Sequence, residues 1–146
     1  MTRVLVATDG SQLAIAAGRR AVALLGTSAE VTVVSVAPVV TPTSGLPELD
    51  ARTLEVEDQA RLDAARQNVL TTIAGLGIEA HERVEVGEAG QVICEIADRE
   101  GFDVIVVGSH GAGALKRIFL GSVSHDVLRN APCPVIIVRP LAAEQE

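Results

Sequence analysis

With 146 residues, the chain is expected to form one domain spanning residues 1–146, and 48% apolar against 21% charged residues excludes a disordered polymer. A formal net charge of −7 argues against a general nucleic-acid or anionic-membrane surface. It leaves room for a small anion held by backbone N–H groups.

Residues 3–8, RVLVAT, form a β-branched run without helical period and predict a buried strand. Ser11 is a plausible N-cap for an amphipathic helix with Leu13, Ala17, Ala21 and Leu24 on its apolar stripe and Gly26 as its stop. A second buried strand is expected over 30–39. The Pro/Gly-rich connection 40–50 leads into a long helix from about 50 to 74, with a stripe of Leu62, Ala65, Val69, Ile73 and Leu76 and an end at Gly75 and Gly77. An outer strand over 78–87 precedes a third helix, in which Val92, Ile93 and Ile96 face inward and Gly101 closes the end. A fourth strand, FDVIVVG, is apolar on both faces. A long loop carrying Gly108, Gly111 and Gly113 follows, then a short helix, SVSHDVLRN, and a fifth strand over 134–138.

This alternation of strand and helix specifies an α/β fold, a doubly wound five-stranded parallel sheet with helices on both faces. The core must be aliphatic, since Trp and Tyr are absent and Phe occurs only at Phe102 and Phe119. Aromatic stacking on bases is therefore not the main binding device. Cys94 and Cys133 are the only cysteines and form no CxxC, which points to reduced thiols in a cytosolic protein. Cys133, between two prolines, reads as a small buried residue at a strand start. The N-terminal apolar run is too short for a signal peptide, and no apolar run approaches the roughly 20 residues of a membrane span. The expected location is cytoplasmic.

Open sheets of this kind bind ligands beyond the carboxyl ends of strands where the winding reverses. A strand order 3-2-1-4-5 puts that point between the first strand, ending near Asp9, and the fourth, ending at Gly108. Gly121-Ser122 opens the following helix, where free N–H groups, the helix dipole and the hydroxyls of Ser122 and Ser124 favour an anion. Two glycine turns converging there suit a di- or triphosphate. Taken singly, each glycine is equally readable as a turn marker and Ser122 as a cap. No GxxxxGK[ST] occurs, and the first strand runs into DGSQ, not GxGxxG.

Gly108-x-x-Gly111, nine residues, then Gly121-Ser122 resembles the G-x2-G-x9-G-[ST] pattern of the ATP-binding universal stress proteins. VATDGS near the start and APCPVIIV near the end are similar to that family as well, so the likeness covers essentially the whole chain. The resemblance implies a five-stranded parallel sheet of order 3-2-1-4-5 and a homodimer through the last strand, near Val135–Val138. It implies Asp9 near adenine and ribose, and adenine contacts from Val36 and Val107. Gly108, Gly111, Gly121, Ser122, Val123 and Ser124 would hold ribose and phosphates, with His110 lining the pocket. ATP is the implied ligand, with Mg²⁺ or Mn²⁺ beside the phosphates. Gly87 also matches, although EAG stands where a proline often follows.

Other readings stay open at this point. Asp9 suits an N-cap as well as a ligand contact. Lys116 and Arg117 suit solvated cations as well as phosphate partners. His110 and His125 lack metal-site spacing, His125 reads as a surface residue, and Ser122, His125 and Asp126 lack a GxSxG elbow. Three functions follow: an ATP-binding regulator, a slow ATPase or nucleotide-transfer enzyme, and an interaction module that works without ATP. The glycine pattern disfavours the third, and the lack of a general base poised on water disfavours efficient hydrolysis.

Overall fold

The computed structural model describes residues 1–39, 51–110 and 120–140. Nine elements follow one another: β1 (Arg3–Ala7), α1 (Gln12–Leu25), β2 (Glu30–Ala37), α2 (Ala51–Leu76), β3 (His81–Val86), α3 (Ala89–Glu100), β4 (Val104–Gly108), α4 (Ser122–Asn130) and β5 (Val135–Val138). The strands form one sheet of order β3-β2-β1-β4-β5, and every neighbouring pair is parallel. The expected fold class and strand order are both observed.

The sheet's central strands are apolar at successive positions because each side chain meets a different core. Leu5 of β1, Val34 of β2, and Ile105 and Val107 of β4 enter one cluster with Ile93, Ile96 and Phe102. Val4, Val6, Val31, Val33, Val104 and Val106 enter the other, with Ala21 and Val69. Helices α1 and α2 cover the second cluster, and α3 and α4 the first. The winding therefore reverses between β1 and β4.

Three local expectations are corrected. Leu24 is 80% exposed and is not on the buried stripe of α1, which consists of Ala14, Ile15, Ala17, Gly18 and Ala21. Small residues on that face let α1 approach α2 closely: a Cβ on Gly18 would stand 3.0 Å from Leu76 Cδ2. Gly75 does not end α2. It lies inside the helix, where a Cβ would fall 2.5 Å from Ile15 Cγ2, and the stop is Gly77, in the left-handed region at φ +66°. The outer strand β3 begins only at His81, because residues 78–80 are spent leaving that turn. Elsewhere, Ser11 caps α1 by accepting from the Ala14 N–H at 3.2 Å. Gly101 ends α3 in a left-handed conformation at φ +70°.

Cys94 is buried and Cys133 partly so; both are free, and burial pushes both thiols up. That suits inert thiols. No helix among the described residues is long and apolar enough to cross a membrane.

At the outer edge, Arg83 of β3 ties the strand to α3. Its Nη1 donates to Glu100 Oε1 at 2.8 Å, its Nη2 lies 2.7 Å from Glu100 Oε2, and its Nε donates to Glu85 Oε1 at 2.6 Å. The hydrogen bond from Arg83 holds the Glu100 carboxyl below its ordinary value, opposed by burial. A depressed folded-state pKa gives stability that is full above the unfolded value, about 4.3, and is lost as pH falls through the folded value. Glu100→Gln is therefore expected to lower stability at neutral pH and to flatten the acid limb below about pH 4.3, read by urea denaturation across pH 3 to 7. An unchanged acid limb would remove Glu100 from the linkage.

Candidate functional site

The reversal between β1 and β4 opens a crevice of about 320 Å³ at the carboxyl ends of the strands. Adjacent strands whose next helices leave on opposite faces cannot both be roofed, which is the geometric origin of such clefts. The volume lies at the lower end of small-ligand pockets. Asp9, Val36, Val107, Gly108, His110, Gly121, Ser122, Val123 and Ser124 all line it. Gly111 lies outside the described residues, as do Gly113, Lys116 and Arg117.

One end of the crevice is backbone chemistry. Helix α4 opens with Gly121 in extended conformation (φ −65°, ψ 163°) and without a capping side chain. The first intrahelical bond runs from the His125 N–H to the Gly121 carbonyl at 2.9 Å. The N–H groups of Ser122, Val123 and Ser124 precede it and face the opening of the helix, the arrangement that favours an anion. Ser122 and Val123 are exposed, whereas Ser124 is 2% exposed.

Ser124 braces this end. Its hydroxyl lies within donating distance of the Ser109 carbonyl, at 3.3 Å, and the Gly121 carbonyl, at 2.9 Å. The Gly121 N–H donates to the same Ser109 carbonyl at 2.7 Å. Ser109 in turn meets His110 Nδ1 through its hydroxyl at 2.7 Å, which places the imidazole on the crevice wall. The two ends of the connection between β4 and α4 are thus clamped together.

Packing does not demand glycine at Gly108, and the backbone angles do not demand it at Gly121. Gly121 has a φ any residue adopts, and a Cβ on Gly108 would meet only ordinary contacts, the nearest being the His110 carbonyl oxygen at 3.5 Å. Bare backbone at these points exposes the peptide to whatever enters the crevice.

The other end is built by β1, β2 and α2. Asp9 is exposed and accepts from the Ser11 N–H at 3.0 Å, so it shapes the turn while Ser11 acts as the cap. Gly10 follows at φ +78°, and its N–H donates to Thr8 Oγ1 at 3.0 Å. Thr8 Oγ1 meets Thr72 Oγ1 at 2.7 Å, and Thr72 donates to the Asn68 carbonyl at 2.7 Å. This chain of bonds fastens the turn bearing Asp9 to α2. Asn68 and Ser35 also line the crevice, and neither stands out in the sequence. Asn68 is a polar residue beside the buried Val69 and Thr72, the one signal that marks it.

Other chemistries are poorly served. His125 is exposed, as expected, and among the described residues no hydrogen bond joins Ser122, His125 and Asp126. The described residues include no group of three His, Cys, Asp or Glu placed to hold a metal ion.

Ser124→Ala removes the brace and leaves two carbonyls without their hydroxyl donor. Loss of roughly 1 kcal/mol is expected, measured by chemical denaturation, with faster amide hydrogen exchange at Gly121. Unchanged exchange would show that the clamp does not depend on the hydroxyl.

A family model described as the universal stress protein family matches residues 1–139. Universal stress protein MJ0531 of Methanocaldococcus jannaschii is 34% identical over 142 residues, covering 94% of this chain and 81% of the relative. Universal stress protein YxiE of Bacillus subtilis is 34% identical over 145 residues, covering 94% and 98%. Among solved structures, a universal stress protein in complex with cAMP is 28% identical at a TM-score of 0.61, covering 94% of this chain and 96% of its own. A universal stress protein of Archaeoglobus fulgidus in complex with dAMP is 25% identical at a TM-score of 0.54, covering 94% and 97%. With a matching family model over nearly its full length and relatives 34% identical across 94% of it, this chain belongs to the universal stress protein family.

Proposed function

We propose that the crevice binds ATP and that the chain acts as a nucleotide-dependent regulatory module of the stress response, with hydrolysis slow at most. The observation that carries this reading is the join of two unlike ends in one crevice: uncapped helix N–H groups with bare glycine backbone at Gly108 and Gly121, and an apolar slot beside Asp9. Phosphates suit the first end, where backbone dipoles supply positive potential on a chain of net charge −7. A nucleoside suits the second, with Asp9 beside the ribose and Val36 and Val107 against the base. Solved relatives in complex with cAMP and dAMP support an adenine nucleotide. Gly111 belongs to the same proposed phosphate loop by its place in the glycine pattern.

A divalent cation fits as a companion of the phosphates. Mg²⁺ or Mn²⁺ would draw its ligands mainly from phosphate oxygens and water, assisted by the Ser122 hydroxyl, since the described residues offer no carboxylate cluster. Asp9 stands at the nucleoside end, away from any water attacking a terminal phosphate, so binding and release are favoured over catalysis. The chain is placed in the cytoplasm as one domain of residues 1–146. A net charge of −7 disfavours nucleic acid or an anionic membrane as its partner, and a protein partner would read the nucleotide state. β5 is an edge strand whose residues Val135–Val138 are only partly buried, and a second copy added there would form the homodimer.

Isothermal titration with ATP is expected to give micromolar-range binding to the native chain. Gly121→Leu, which places a side chain over the helix start, is expected to weaken it at least about tenfold. Equal heats from the two proteins, or none from the native one, would sink the assignment. Phosphate release measured in the same samples separates a binder from a slow ATPase.

A further inference from the structure

Resting on that nucleotide reading, we infer that Asn68 and Ser35 form a polar edge that reads the nucleobase, selecting adenine through its 6-amino group. The position of the base follows from the sheet order. β2 lies two strands from β4, so its carboxyl end stands about 10 Å from the phosphate end of the crevice, with β1 and Asp9 between. A nucleotide anchored at α4 thus sets its ribose over β1 and its base over β2.

The two walls of the base slot differ in chemistry. Val34 and Val36 face the cluster beneath α3 and α4, together with Ile93, and offer that side an apolar surface. Ser35 faces the opposite way, on the same side of β2 as Val31 and Val33, which pack with Val69 of α2. Asn68, next to Val69, lines the crevice from that helix. Its side chain is held against the turn after β1, where Gly10 makes room: a Cβ there would fall 2.4 Å from Asn68 Oδ1 and 2.8 Å from its Cγ.

Hydrogen bonding singles these two out from their polar neighbours. The hydroxyls of Thr8 and Thr72 are satisfied by each other, the Gly10 N–H and the Asn68 carbonyl. Among the described residues the Asn68 carboxamide has no hydrogen-bond partner, and the Ser35 hydroxyl has none although the residue is only 4% exposed. An unpaired hydroxyl of a largely buried residue, opening onto a crevice, can take its partner from a ligand. A carboxamide supplies an acceptor and a donor side by side. That pair matches the amino group of adenine and the ring nitrogen next to it, the pairing by which asparagine reads adenine elsewhere.

The test removes the interaction from each side in turn. Titration compares ATP with purine riboside 5′-triphosphate, which lacks the 6-amino group, on the native chain, Asn68→Leu and Ser35→Ala. Leucine keeps the shape of asparagine without its polar atoms, and Asn68→Ala serves in its place if the leucine variant is misfolded by circular dichroism. The native chain is expected to prefer ATP about tenfold, the size of one good polar pair to a base. Asn68→Leu is expected to bind the two ligands equally within about twofold, and Ser35→Ala to retain about a threefold preference. A native chain that binds both triphosphates equally overturns the inference while the nucleotide reading stands. An Asn68 variant that keeps the full preference does the same. No heat from ATP with the native chain overturns both.

Discussion

The parallel pairing of β1 with β4 is the constraint on which the rest depends. Val4, Leu5 and Val6 lie opposite Val104, Ile105 and Val106, buried on both faces. The helix after β1 and the helix after β4 depart to opposite sides, so the carboxyl ends of these two strands stay uncovered. The crevice is lined from segments that the core already holds: the Thr8–Gly10 turn, the end of β2, Asn68 of α2, the Gly108–His110 exit and the start of α4. Precise placement of loop groups by a stiff scaffold is the usual division of labour in α/β folds.

The chemistry of the gap is divided by element. The α4 end uses backbone, with side chains withdrawn at Gly108 and Gly121 and Ser124 spent on bracing. The α2 end uses side chains, fastened through the Thr8–Thr72 bond. An acidic protein attracts an anion poorly at long range. Local N–H dipoles act at contact distance and need no net positive charge, so overall charge and local preference do not conflict.

Most of the fold was legible in the sequence because strands buried on both faces give continuous β-branched runs, as in RVLVA and VIVVG. The helix stops were legible where glycine takes a left-handed φ, as at Gly77 and Gly101. Where glycine instead serves interhelical contact, as at Gly75, the local pattern misleads, since the reason lies on Ile15 in another helix. Leu24 misleads because the face that α1 buries runs through Ala14, Ile15, Ala17, Gly18 and Ala21, and Leu24 falls outside it. In the crevice, the glycine pattern is a short-range signal and marked the α4 end. Asn68 and Ser35 meet the crevice only after α2 docks on β2, and no spacing within either segment announces that.

The clamp between Ser109 and Gly121 has a consequence for how the protein can change over evolutionary time. With both ends of the intervening segment fixed by their own bonds, that segment is a closed loop whose ends need not be held by its contents. Lengthening such a loop costs only about 0.6 kcal/mol per doubling. Changes of length between the two clamped ends can therefore be absorbed without moving the exit of β4 or the start of α4, which Ser109, Gly121 and Ser124 hold by their own bonds.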